Sequence, residues 1–257
     1  MVSSENGIIL AIGGLSLSGD DVNDKNLVDE LDLKSESKRW VSTRPLNQPR
    51  QTFAVCTYKQ NIYVVGGKDL TSNRFLYSVE YYNTNSKVWT KITEPMPTAR
   101  ESCSATIFNN KLYVFGGCND RGPLATVEYY DFEKKHWKQL DPMPIRNYNM
   151  IILRKENVIY LIGGDEEFRF FKFDLQYFKW DEMPNMNKEC ESYYSSIVIM
   201  RNDFFEFKNI GGELTCEKYD RVINQWQLVD KAGDLISQTE NIITFNDITL
   251  KSYGIQL

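Results

Sequence analysis

Three arginines stand where the chain could offer them to acidic groups. Arg50, Arg100 and Arg146 follow Pro45-x-x-x-Pro49, Met96-Pro97 and Met143-Pro144, at equivalent places in a chain that repeats itself. A guanidinium is a planar fork that bonds a carboxylate through two N–H groups at once, so arginine suits carboxylate recognition. Lys188 stands near the same place one unit further on. The residues that follow the three arginines are Gln51, Glu101 and Asn147, and Glu101 would repel an acidic ligand. Catalytic chemistry finds less material. His136 is the single histidine, in Lys134-Lys135-His136-Trp137 beside a hairpin turn, and reads as a solvated turn residue. Zinc or copper sites built mainly from imidazole and thiolate are therefore excluded. Asp20, Asp21, Asp24, Asp165, Glu166 and Glu167 could ligate iron or calcium, but all lie in loops, where carboxylates are usually just solvated. No Gly-rich phosphate loop, nucleophile elbow or H-E-x-x-H occurs. The expectation is a non-enzyme with no catalytic residue, no metal and no cofactor.

A repeat must position these side chains. A run of apolar residues ends in a glycine pair five times: Gly13-Gly14, Gly66-Gly67, Gly116-Gly117, Gly163-Gly164 and Gly211-Gly212. The second glycines are 53, 50, 47 and 48 residues apart, a period that marks a repeat architecture. After each pair come a polar loop and a short strand ending Leu31-Asp32, Tyr82-Asn83, Tyr130-Asp131, Phe173-Asp174 or Tyr219-Asp220. A turn and a tryptophan follow: Trp40, Trp89, Trp137, Trp180, Trp226. An Asx residue opening a short connection suits a tight hairpin. Each unit thus reads as four short strands, a to d, with b ending in the glycines and d carrying the tryptophan. Strand a covers 52–58, 103–108, 149–153 and 194–200 in units two to five. Four-strand meanders repeated in this way select a β-propeller. The glycines and tryptophans are structural: glycine admits close backbone approach, and tryptophan supplies buried area between blades.

One domain is expected over 1–257, with units at about 7–44, 45–94, 95–141, 142–183 and 184–229 and a closing strand and tail at 236–257. The first unit lacks a strand a of its own, and Glu240–Phe245 is assigned to supply it, giving five closed blades. The stretch 247–254 has the spacing of a further strand b, so an incomplete six-bladed ring is the alternative. A net charge of −5 and pI near 5.2 argue against nucleic-acid or anionic-membrane binding. No apolar run approaches the length of a spanning helix, and residues 1–14 lack the marks of a signal peptide. Five scattered cysteines without C-x-x-C favour free thiols and a cytoplasmic setting.

With LYVFGG, VEYYD and Trp137 in the third unit as its best match, the chain resembles a Kelch β-propeller over its whole length. The resemblance implies a protein-interaction module, the substrate-recruiting half of a BTB-BACK-Kelch adaptor for a cullin-RING ubiquitin ligase. The cullin would be reached only through a BTB domain not in this chain. A composition rich in Asn, Ile, Lys and Tyr is similar to poxviral members, which act in the host cytoplasm on host signalling. A cytoskeletal, actin-binding Kelch protein is the other interaction reading. In adaptors of this kind, arginines at the positions of Arg50, Arg100 and Arg146 bind acidic peptides. From the loop rim, Lys68, Asn73, Arg74, Asn119, Arg121 and Tyr148 are further contact candidates for a target protein held on the loop face. The loops after the glycine pairs shorten steadily, from 26 to 14 residues between second glycine and tryptophan, which predicts a lopsided rim.

Overall fold

The computed structural model describes residues 2–13, 26–37, 39–164, 169–184, 195–200, 203–210, 213–220 and 222–229. The described residues contain no α-helix, and their strands form five four-stranded antiparallel blades. Blade one is β1 (Val2–Ser3), β2 (Ile8–Ile12), β3 (Val28–Asp32) and β4 (Trp40–Ser42). A short β5 (Arg50–Gln51) leads into blade two, β6 (Ala54–Tyr58), β7 (Asn61–Val65), β9 (Val79–Asn83) and β10 (Val88–Lys91). There β8 (Lys68–Asp69) pairs back onto β5. Blade three is β11 (Ser104–Phe108), β12 (Lys111–Phe115), β15 (Val127–Asp131) and β16 (His136–Leu140), with a ribbon of β13 (Cys118–Asn119) and β14 (Gly122–Pro123) in its b–c loop. Blade four is β17 (Ile151–Lys155), β18 (Val158–Ile162), β19 (Phe170–Asp174) and β20 (Lys179–Met183). Blade five is β21 (Ser195–Met200), β22 (Asp203–Ile210), β23 (Glu213–Asp220) and β24 (Gln225–Leu228). The chain is an all-β propeller of five such blades.

Two expectations change. The fourth strand of blade one is the N-terminal β1, with Val2 opposite Leu10 and Ser3 opposite Ile9. It occupies the edge expected for Glu240–Phe245, a segment that lies outside the described residues, as does 247–254. Strand a also starts later than expected in blades two and four. Thr52 and Asn149 have φ of 49° and 54°, a left-handed backbone that no strand accommodates.

The hairpins follow the sequence closely. In every blade the Asx residue ending strand c accepts backbone N–H groups of the turn it opens. Asn83 Oδ1 takes those of Asn85 and Ser86, and Asp131 Oδ1 takes those of Glu133 and Lys134. Asp32, Asp174 and Asp220 do the same. These turns set the register that puts Tyr82 opposite Trp89, Tyr130 opposite Trp137, Phe173 opposite Trp180 and Tyr219 opposite Trp226. The paired rings are 4.4–5.6 Å apart, the range in which tilted aromatic pairs attract.

Each aromatic pair faces the preceding blade. Trp89 Nε1 donates to Arg44 O at 2.8 Å and Trp137 Nε1 to Glu94 O at 2.9 Å, so the indole is latched to the linker leaving that blade. Trp180 and Trp226 lack an N–H acceptor among the described residues. Trp40 departs from the pattern: it is 39% exposed, against 6% for Trp89. Four apolar clusters fill four seams. Ile8, Leu10, Val64 and Trp89 join blades one and two, and Val65, Cys103, Val114 and Tyr130 join two and three. Phe115, Ile159, Leu161 and Phe173 join three and four, and Phe170, Phe204, Tyr219 and Trp226 join four and five.

The glycine pair ties neighbouring blades at the inner rim. Gly67 N donates to Arg100 O of the next blade at 2.8 Å. Gly66 and Gly67 have φ of 62° and 98°, and a Cβ on them would lie 2.5 Å from Arg100 O and 2.7 Å from Gln51 O. Gly117 bonds Asn147 O in the same way at 2.9 Å. Gly14, Gly211 and Gly212 lie outside the described residues.

Candidate functional site

Antiparallel meanders send the b–c and d–a loops to one face and the a–b and c–d hairpins to the other. The candidate residues all belong to the first face. Its b–c loops run 66–78, 116–126 and 163–169 in blades two to four, and in blade five Ile210 pairs with Glu213 across two residues. The connections between strands b and c thus shorten from blade two to blade five, and the loop of blade one lies largely outside the described residues.

Arg50 and Arg100 are not on that surface. They are 2% and 0% exposed, and each pairs with a glutamate on strand c of its own blade. Arg50 Nη2 lies 2.6 Å from Glu80 Oε1 and also bonds Ser78 Oγ; its Nη1 donates to Gly66 O at 2.8 Å and Ser78 O at 3.1 Å. Arg100 repeats the arrangement. Its Nη1 donates to Gly116 O at 2.8 Å, and its Nη2 lies 2.8 Å from Glu128 Oε2, an ion pair whose angle falls short of a hydrogen bond. Glu128 Oε1 accepts from Thr98 Oγ1 at 2.5 Å. Burial pulls the Arg50 guanidinium below its usual value, and Glu80 opposes the shift. These forks hold blade carbonyls and a buried carboxylate and present nothing to a partner. Their assignment as ligand-binding arginines is corrected to scaffold.

The equivalence of Arg146 is corrected too. Arg50 bonds the carbonyl of Gly66, and Arg100 that of Gly116, each sixteen residues on; in blade four the residue that does so is Asn147, whose Nδ2 donates to Gly163 O at 2.8 Å. The glutamate is replaced in step. Glu80 lies opposite Val64 and Glu128 opposite Val114, whereas buried Phe171 lies opposite Leu161. Blade four thus exchanges a buried ion pair for an amide and a phenyl ring, and Arg146, one place earlier, is turned out to solvent. The buried glutamates were missed in the sequence. The signal was there: Val79-Glu80-Tyr81-Tyr82 and Val127-Glu128-Tyr129-Tyr130 carry a charge at the same place in two otherwise apolar strands.

The remaining candidates divide by exposure. Arg74 and Arg121 are exposed in the b–c loops of blades two and three, Arg146 and Tyr148 are exposed in the loop entering blade four, and Asn73 is exposed with φ of 57°. Arg74, Arg121 and Arg146 have no side-chain partner among the described residues. Lys68 is half-buried with its Nζ 5.2 Å from the Phe75 ring centroid. Asn119 is half-buried, with Nδ2 donating to Ala99 O at 3.2 Å and Oδ1 accepting from Arg121 N, so it shapes the loop that carries Arg121. Tyr77, at the end of the b–c loop of blade two, is exposed as well. Glu101, expected to repel acidic ligands, accepts from Thr52 Oγ1 and from the Cys118 thiol, whose pKa is raised by burial and by Glu101. Lys188, Asp20, Asp21, Asp24, Asp165, Glu166 and Glu167 lie outside the described residues. Among the described residues no three His, Cys, Asp or Glu side chains converge as a metal site would require.

Several known proteins are similar. Beta-scruin of Limulus polyphemus is 29% identical over 61% of this chain and 18% of its own length. Kelch-like protein 40 of Xenopus laevis is 30% identical over 63% of this chain and 25% of its own, and human Kelch-like protein 23 is 24% identical over 76% and 35%. The chain therefore spans about a third or less of these relatives. The solved structure of YjhT superposes with a TM-score of 0.67 over 84% of this chain and 78% of that one, at 14% identity, a likeness of fold alone. The model of the KLHDC2/KLHL20/DRC7 Kelch-repeats domain matches residues 1–212, which carry all five glycine pairs and four of the five tryptophans, and the chain belongs to the Kelch-repeat family.

Proposed function

We propose that this domain is a non-enzymatic protein-interaction module that holds an acidic target on its b–c and d–a loop face. The observation that carries the reading is the division among its arginines. Arg50 and Arg100 are buried against glutamates, whereas Arg74, Arg121 and Arg146 are exposed on one face with exposed Tyr77 and Tyr148. An unpaired guanidinium beside an aromatic side chain is the composition found at the energetic centres of protein interfaces. On a chain of net charge −5, such a patch also steers acidic partners to one face.

Within this reading the domain is the target-recruiting part of a longer BTB-BACK-Kelch adaptor for a cullin-RING ligase. Homology to Kelch-like proteins supports it. The cytoplasmic, host-directed setting belongs to the same proposal and is supported only by composition and thiol usage. Two measurements test it. Target affinity should weaken steeply as ionic strength rises, because exposed charge pairs are screened within about 10 Å at 0.1 M salt; salt-independent affinity refutes the arginine face. The isolated domain should bind no cullin directly, and direct binding refutes the adaptor arrangement.

A further inference from the structure

Blade three repeats the arginine knot of blade two without two of the groups that complete it. The positions correspond one for one. Arg50 Nε donates to Gln48 O and Arg100 Nε to Thr98 O, while Nη1 donates to Ser78 O in the one and to Thr126 O in the other. In blade two the knot is closed by the chain's own groups. Arg50 Nη2 bonds Ser78 Oγ at 3.0 Å and Glu80 Oε1 at 2.6 Å, Ser78 Oγ donates to Gln48 Oε1 at 3.2 Å, and Asn47 N donates to Glu80 Oε2 at 3.2 Å. In blade three Pro97, which has no N–H, takes the place of Asn47. Thr98 takes the place of Gln48, and its shorter side chain donates its hydroxyl to Glu128 Oε1. Arg100 Nη2, Thr126 Oγ1 and Glu128 Oε2 are therefore left, among the described residues, without a hydrogen-bond partner. The side chains of Arg100 and Glu128 are both 0% exposed.

We infer that blade three binds one ordered water in this knot, held by Arg100 Nη2, Thr126 Oγ1 and Glu128 Oε2. Buried polar groups are nearly always bonded, and a buried water typically serves about three of them at once. The chemistry of the three atoms selects the guest. A guanidinium only donates, a carboxylate only accepts and a hydroxyl does both, so the guest must itself donate and accept. Arg100 repels a cation and Glu128 repels an anion, so the guest is neutral. The water donates to Glu128 Oε2 in place of the Asn47 N–H. It accepts from Thr126 Oγ1 in place of Gln48 Oε1, and from Arg100 Nη2. Blade two, complete in its own groups, needs none.

A crystal structure of the wild-type chain, at a resolution that shows ordered waters, is the first test. A water within hydrogen-bond distance of all three atoms is expected, with none on Arg50, Ser78 and Glu80. Direct bonds among the three side chains, or no density between them, would overturn the proposal. Melting temperature supplies a second test through its sign. Thr126→Val keeps the side chain's shape and removes the hydroxyl. With a water bound, the variant should melt roughly 1–6 °C below wild type, for the loss of one hydrogen bond. A hydroxyl buried without a partner carries a desolvation cost that valine would relieve, so an unchanged or raised melting temperature overturns the proposal. In Pro97→Asn/Thr98→Gln, which restores both blade-two groups, the amide should replace the water in the crystal structure. A water retained there overturns the assignment of the site to the two missing groups. Should that variant fail to fold, the first two measurements decide.

Discussion

Blade four offers a way to test what the buried arginines do. Removing one partner of a buried ion pair leaves an uncompensated charge and costs roughly 3–5 kcal/mol. Glu128→Ala would leave Arg100 with its bonds to Gly116 O at 2.8 Å and Thr126 O at 3.3 Å but no carboxylate, in a site with no solvent access. At roughly 2–4 °C per kcal/mol for a chain of this size, the melting temperature should fall by roughly 6–20 °C. Arg100→Asn alone should cost a similar amount, because it strands Glu128. The double variant Arg100→Asn/Glu128→Phe copies Asn147 and Phe171, in which the amide keeps the carbonyl bond and the ring fills the carboxylate's volume. It should lie within about 2 kcal/mol of wild type, since a buried ion pair can be replaced by packed apolar groups at little net cost. The coupling between the two substitutions should exceed about 2 kcal/mol in a double-mutant cycle. Urea unfolding followed by tryptophan fluorescence measures wild type, Glu128→Ala, Arg100→Asn, the double variant and the Glu128→Phe single variant that closes the cycle. A double variant no better than the worse single, or a Glu128→Ala cost under about 1 kcal/mol, would refute the assignment of these arginines to the scaffold.

Other outcomes follow from the same geometry. Gly67→Ala should destabilise by more than about 2 kcal/mol, through its left-handed backbone and the approach to Gln51 O, while Gly122→Ala, at φ 90° with open space around it, should cost only about 1–2 kcal/mol by the same unfolding assay. Trp89→Ala should cost roughly 3–5 kcal/mol and Trp40→Ala clearly less, because Trp40 is already 39% exposed. For Asp69, burial alone would raise the carboxyl pKa, but hydrogen bonds from Ser72, Gln48 and Thr71 hold it below its ordinary 3.8; for Asp131, the Lys134 and Glu133 amides do so. A depressed folded value means their stabilisation is present above about pH 4 and lost as pH falls through the folded values, so Asp69→Asn should flatten the acid limb of a stability-against-pH curve.

The fold was readable because its determinants are local. Glycine pairs, Asx turns and tryptophans recur at fixed spacing, and each acts through a backbone conformation or a cross-strand pair that the sequence alone implies. The candidate site was readable only in part. Arg100 and Arg146 follow a Met-Pro in the same way, yet a one-residue offset puts one inside and the other outside; the offset shows only when Asn147 is seen on the Gly163 carbonyl. Pairing of Arg50 with Glu80, thirty residues away, is a tertiary fact that no motif states. The N-terminal β1 escaped notice because two residues carry no periodicity.

The most direct test of the interaction face is affinity capture from cell lysate, with wild type beside Arg74→Glu/Arg121→Glu/Arg146→Glu. All three positions are exposed and without side-chain partners among the described residues, so the variant should keep the wild-type melting temperature. A protein held by wild type and lost by the folded triple variant is the predicted result. Equal capture by both would contradict the account and move the binding surface off the b–c and d–a loops.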